Sequence, residues 1–120
     1  MAGGYMGKVL KVDLSNREIK VEELDEKIRR PFLGGYGIGA RVLFNEMKAG
    51  VAPLGAESIL GFISGPLTGT PAIAGTRYTV VGKSPLTGTW GDANSGGTFG
   101  PAMKAAGFDA VIFQGISPKP

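Results

Sequence analysis

The sequence has 120 residues, enough for one domain with a modest core. With 42% hydrophobic and 19% charged residues it does not have the composition of a disordered chain. Its net charge of +3, from 13 basic and 10 acidic residues, is too mild and too dispersed for a nucleic-acid surface, and the absence of cysteine and histidine removes disulfides, thiol and imidazole catalysis and the usual soft metal sites.

Lys8–Leu14 and Ile19–Leu24 are short alternating runs joined by a polar turn and predict a β-hairpin. Asp25 can cap a short helix, which Pro31 should stop around Arg30. Lys27, Arg29 and Arg30 sit beside Asp25 and Glu26, so this basic group reads as a solvated helix face. A second helix is expected to run to about Met47, with Ile38, Val42, Leu43 and Met47 as its apolar stripe. Ser58–Ser64 and Arg77–Lys83 read as strands, Phe99–Ala106 as a short helix with Gly107 just past its end, and Asp109–Gln114 as a strand. No apolar run approaches the ~20 residues of a membrane span, and the start lacks the apolar core of a signal peptide. The expectation is a cytoplasmic protein without membrane or nucleic-acid partners. The closing Ser117-Pro118-Lys119-Pro120 reads as a linker, so the chain is expected to be a fragment of something longer.

Two familiar motifs fail on context. Gly82-Lys83-Ser84 has the last letters of a phosphate-binding P-loop, but the first glycine of that motif falls on Arg77 and Pro85 breaks the helix that must follow. Gly35-Tyr36-Gly37-Ile38-Gly39-Ala40 spells a dinucleotide fingerprint without the buried strand that should precede it. Its glycines are better explained by close packing of helices on a sheet.

The unusual segment runs from Gly61 to Gly100, with ten glycines and only Arg77, Lys83 and Asp92 charged. Within it the phrase Pro-Leu-Thr-Gly-Thr occurs twice, at 66–70 and 85–89. Proline fixes φ and glycine permits positive φ, so each copy specifies a tight turn beside a strand. We read the pair as loops along one edge of a sheet. The second turn leads into Asn94-Ser95-Gly96-Gly97, where small residues open the backbone to a ligand and a following helix start favours anions. Arg77 could add a guanidinium fork suited to phosphate. Spacing alone favours a plain N-cap turn and a surface arginine over this reading.

In this order, GPLTGT, GTRYTVV, KSPLTG, ANSGG and AAGFDAVIFQG, together with the opening GKVLKVDLSNREIKVEELDE and FLGGYGIGARVLFNEM, resemble the N-terminal domain of the tungsten-containing aldehyde:ferredoxin oxidoreductase family. The resemblance covers nearly the whole chain. It implies a domain that carries a tungsten (or molybdenum) bis-pterin, within an enzyme that oxidises aldehydes to carboxylic acids and passes electrons through a [4Fe–4S] cluster to ferredoxin. By match, Arg77 would lie between pterin and cluster. Asn94 would lend its backbone carbonyl to a Mg²⁺ that joins the pterin phosphates, and Ser95 and Gly96 would line the same loop. No catalytic side chain is expected here. The cluster and the proton-handling acids would belong to C-terminal domains absent from this chain, which alone should be inactive, and a homo-oligomer is among the assemblies open to it. Tyr36 stands where many members of the family carry arginine. The expected architecture is α+β: a β-rich platform of two sheets with a few short helices and repeated strand–PLTG turn units. The rival reading is a stand-alone phosphate-ligand or protein-binding module without redox activity.

Overall fold

A computed structural model describes residues 3–119. The hairpin forms as expected from β1 (Lys8–Asp13) and β2 (Glu18–Glu23). The Asp13 carboxylate closes its turn, accepting hydrogen bonds from the Asn16 and Ser15 backbone N–H groups at 3.0 and 2.9 Å and from the Asn16 amide at 2.8 Å. These bonds, those of Asn16 foremost, hold the carboxyl below its ordinary pKa.

Helix α1 (Glu26–Phe32) is capped by Asp25, whose carboxylate accepts from the Lys27 N–H at 2.9 Å. It continues through Pro31 rather than stopping at Arg30. The last turn closes on a bond from the Leu33 N–H to the Arg29 carbonyl, which does not need the N–H that proline lacks. Leu33 then adopts the left-handed conformation, at φ 42°, and the chain reverses into α2 (Gly35–Glu46). The glycine-rich stretch is therefore the first turn and a half of the helix, not a preface to it. A Cβ at Gly37 would overlap the Phe32 carbonyl, and one at Gly39 would lie 2.8 Å from a Val81 methyl. Close packing is what these two glycines provide.

β3 (Ile59–Ser64), β4 (Tyr78–Lys83) and β5 (Trp90–Ser95) form an antiparallel meander, followed by α3 (Phe99–Ala105) and β6 (Ala110–Gln114). The fold is α+β, as expected, but the two sheets are one: six strands in the order β2-β1-β6-β3-β4-β5. β6 joins the halves, running parallel to β1 and antiparallel to β3. Its residues are apolar on both faces, as a central strand requires. The strand–PLTG units are also present, one copy after β3 and the other after β4. Because the meander alternates direction, the two turns lie at opposite ends of the sheet and not along one edge.

One face of the sheet packs on α2. Ile38 from the helix, Ile63 and Val81 from the strands and Ala110 from β6 are fully buried there. Where α2 ends, the layer is polar, and Lys11 reaches both Glu22 and Glu46 at 2.8 Å. Burial disfavours the Lys11 ammonium, but the two carboxylate hydrogen bonds outweigh it and raise its pKa. The opposite face is apolar and open. By strand alternation it carries Leu10, Val12, Ile19 and Val21 on the hairpin and Phe62 and Phe113 at the centre. Phe62 makes edge contacts with Phe99 and Phe113, at ring-centroid distances of 5.7 and 5.8 Å. Among the described residues, α3 is the sole helix that meets this face, through Phe99.

Two outcomes follow for the chain expressed by itself. Gly37→Ala should lose at least ~2 kcal/mol in urea unfolding, an overpacking cost imposed by backbone that cannot yield. An unchanged midpoint would contradict the packing described. The bare sheet face should bind a hydrophobic dye and drive self-association, with a melt no higher than ~65 °C. A monodisperse, dye-silent monomer melting well above that would show the face to be satisfied as it stands.

Candidate functional site

The end of the sheet where β3 finishes and β4 begins holds a cavity of about 360 Å³. Three structural pieces converge on it. The first is the start of α2, where Gly34, Gly35 and Tyr36 line the wall. Gly34 (φ 72°) is the N-cap and offers no side-chain hydrogen bond. Its carbonyl takes the N–H groups of Gly37 and Ile38 at 3.0 and 3.3 Å, which leaves those of Gly35 and Tyr36 outside the helical ladder. The second is the start of β4, with Arg77 just before it and Thr79 within it, and the third is Asn94 on β5.

Arg77, Thr79 and Asn94 form one hydrogen-bonded line. Arg77 Nε donates to Asn94 Oδ1 at 2.6 Å, and Asn94 Nδ2 donates to Thr79 Oγ1 at 3.3 Å. Register explains the meeting: Asn94 lies directly opposite Thr79, and Arg77 is two residues before Thr79 on the same face. The Arg77 backbone is held separately. Its N–H donates to the Ala74 carbonyl at 3.2 Å, and its carbonyl accepts from Thr68 Oγ1 at 2.6 Å. Thr68 belongs to the first PLTGT turn, and its hydroxyl also takes the Gly65 N–H at 3.0 Å.

The Asn94 backbone is available as well. The Ser84 N–H donates to the Thr89 carbonyl at 2.8 Å, and these residues are opposite one another in the β4–β5 register. Hydrogen-bonded and non-hydrogen-bonded pairs alternate along an antiparallel ladder, so Thr79/Asn94 is a non-hydrogen-bonded pair. The Asn94 N–H and C=O therefore point away from β4. β5 is the edge strand, so they meet no further strand.

The residues singled out from sequence fall unevenly around this cavity. Arg77 and Asn94 are brought together within it. Gly96 lies against the arginine, where a Cβ would stand 3.4 Å from Nη1. Ser95 is opposite Tyr78 and by alternation turns to the other face of the sheet. The start of α3, with Thr98 as N-cap and no side-chain cap bond, does not line the cavity. The helix start that does so belongs to α2. Sequence reasoning missed this use of Gly34, Gly35 and Tyr36; the signal was there in Gly-Gly-Tyr-Gly, all four of which line the cavity while Gly34 and Gly37 also pack closely on Ser64 and Phe32.

A larger groove of about 890 Å³ lies at the other end of α2, between Phe44, Met47 and Trp90. It is mainly apolar, and the Lys83 ammonium on its wall is spent on the Val51 carbonyl at 2.6 Å. Convergent polar groups distinguish the smaller cavity. Its donors are cationic guanidinium and backbone N–H, with one free carbonyl, a set suited to an anion accompanied by a hard cation. No group of three or more acidic, histidine or cysteine side chains that could hold a metal occurs among the described residues.

Comparison with known proteins decides which family this fold belongs to. The family model for the aldehyde ferredoxin oxidoreductase N-terminal domain matches residues 9–120. The chain belongs to the aldehyde ferredoxin oxidoreductase family. It is 48% identical over 117 residues to the tungsten-containing aldehyde ferredoxin oxidoreductase of Pyrococcus furiosus, covering 98% of this chain and 19% of that protein. The corresponding enzyme of Thermococcus kodakarensis gives the same identity and coverage. An aliphatic sulfonate oxidoreductase WOR-like subunit of Pyrococcus furiosus is 38% identical over 120 residues, 97% of this chain and 19% of that one. Among solved structures, the active-site complex BamBC of benzoyl coenzyme A reductase with 1,5-dienoyl-CoA superimposes with a TM-score of 0.95 at 36% identity, over 98% of this chain and 18% of that one. The chain thus spans about a fifth of the length of the relatives it matches. They are oxidoreductases of this family, and the first two are tungsten enzymes by name.

Proposed function

We propose that this domain is the cofactor platform of a tungsten-dependent oxidoreductase and that the cavity at the start of α2 receives the phosphate-bearing part of a bis-pterin. The observation that carries the reading is the Arg77–Asn94 bond of 2.6 Å beside an uncapped helix start. Arg77 would supply the charge-assisted donor, and the Gly35 and Tyr36 N–H groups the neutral ones. The outward carbonyl of Asn94 would be one oxygen ligand of a Mg²⁺ between phosphates, a cation that takes such ligands along with the phosphates themselves. Gly96 leaves room for the guanidinium to swing between Asn94 and an incoming phosphate.

The residues present fit such a group. A chain without cysteine offers tungsten no thiolate, and none is required if the pterins bring sulfur. When bound, the cofactor supplies two-electron redox chemistry. This domain binds, orients and shields. Oxidation of an aldehyde to the carboxylic acid, a [4Fe–4S] relay and ferredoxin as acceptor complete the proposal, as the resemblance seen in the sequence implies. They would engage the remainder of a cytoplasmic enzyme. Homology to proteins about five times longer favours this over a stand-alone binding module.

The test is made on the full-length enzyme. Arg77→Ala should lower tungsten per folded subunit and aldehyde oxidation by roughly 10- to 100-fold with little change in thermal unfolding. Arg77→Lys should recover only part of the loss, because it keeps the charge and gives up the fork. Wild-type metal content and rate in both variants would return Arg77 to the status of a surface residue.

A further inference from the structure

The most deeply buried ionic group of the described chain lies outside the cavity lining and has no part in the proposal above. Lys104 and Asp109 meet at 2.6 Å, with side chains 6% and 1% exposed. The other side-chain hydrogen bonds of the pair all go to the N-terminal segment. Asp109 accepts the Met6 and Gly7 N–H groups at 3.0 and 2.6 Å, and Lys104 Nζ donates to the Gly4 carbonyl at 2.6 Å. The ammonium also lies 5.4 Å from the Tyr5 ring centroid. The Asp109 backbone takes both the N–H and the hydroxyl of Ser64, at 2.9 and 2.8 Å, so the same residue fixes the end of β3.

This knot lies directly under the first PLTGT turn. A Cβ at Gly4 would overlap the Pro66 carbonyl, and one at Gly69 would stand 3.3 Å from Lys104 Cβ. Both glycines have positive φ, 82° and 80°. From the side, α3 presses on the same place, since a Cβ at Gly100 would be 3.0 Å from Thr68 Cγ2 and 3.1 Å from the Thr76 carbonyl. Thr68 and Thr76 are the residues on either side of the Arg77 anchorage: one donates to its carbonyl, the other precedes it in the chain.

We propose that the Lys104–Asp109 pair is a positioning element for Arg77, acting through α3 and the Pro66–Thr70 turn on the Thr68–Arg77 bond. The inference rests on the cofactor-platform reading only in what Arg77 is positioned for. A buried ion pair contributes little net stability against an apolar substitute, yet breaking it leaves a charge unpaired. Its value here is to set one geometry for α3 and the turn, the device by which supporting contacts orient a ligand-holding group.

The test is a double-mutant cycle in the full-length enzyme, with Lys104→Met, Thr68→Val and the double variant, read by tungsten per folded subunit and by thermal unfolding. Each single variant should lower tungsten occupancy roughly 10-fold, and the double variant no further than the worse single, because both act through one contact. Thr68→Ser, which keeps the hydroxyl, should restore occupancy. Should Lys104→Met fail to fold, Asp109→Asn, isosteric and keeping one of the two acceptor oxygens, takes its place in the cycle. Multiplicative losses, or a lowered melting temperature with full tungsten occupancy, would overturn the proposal and leave the pair purely structural. If Arg77→Ala itself retains tungsten while folding normally, it is the platform reading that fails, and the cycle is then judged on the rate at which an arginine reagent modifies Arg77. That rate should rise in Lys104→Met and Thr68→Val alike; an unchanged rate overturns the positioning role.

Discussion

The architecture depends on how closely α2 approaches the sheet. Gly39 brings the helix against Val81, and at Gly61 on β3 a Cβ would come within 3.0–3.2 Å of Ile112, Ile63 and Val81. A methyl at either position would have to displace packed side chains. A glycine inside a helix costs roughly 1 kcal/mol in propensity, so the contact must return more than that in buried apolar area. The same approach determines the site. With α2 this low on the sheet, its first residue comes within 3.4 Å of Thr79 Oγ1, measured from the Cβ that Gly35 lacks. The uncapped N–H groups, Arg77 and Asn94 therefore share one cavity, where a helix one layer higher would leave them apart.

Most of the regular structure was legible because local and global preferences agree. The hairpin, β3, β4, α3 and β6 all carry alternation or caps strong enough to read along the chain. β5 did not read as a strand, because Trp90-Gly91-Asp92-Ala93-Asn94-Ser95 has little β preference. It pairs with β4 because the second PLTGT turn returns the chain at a fixed register, which tertiary context imposes over propensity. The merging of two expected sheets has a similar origin. β1 and β6 are about a hundred residues apart, and no local signal announces their parallel pairing.

The site was half legible for the same reason. Arg77 and Asn94 stood out as an isolated charge and a turn-like asparagine in a run of small residues. Their contact is a matter of register, and the register is fixed by β5, the element the sequence concealed. The glycine-rich turn before α2 shows the converse. Packing was the right reading for Gly37 and Gly39, and it masked the second use of the motif, in which Gly34, Gly35 and Gly37 also line the cavity. A single motif here serves two physical ends, one buried and one facing the cavity.

The polarity of β2 bears on what the domain requires around it. Glu18, Lys20 and Glu22 face the layer that α2 occupies, and Ile19 and Val21 face the side that no described element covers beyond Phe99 of α3. A solvated outer sheet face would carry the reverse pattern. Ile19 and Val21 are 69% and 57% exposed, yet they continue the surface of Leu10, Val12, Phe62 and Phe113. Burying such a face at ~25 cal/mol per Å² is a large term beside the marginal stability of a domain this size. The helix-covered face therefore forms the site, while the uncovered one ties the energetics of that site to whatever packs upon it.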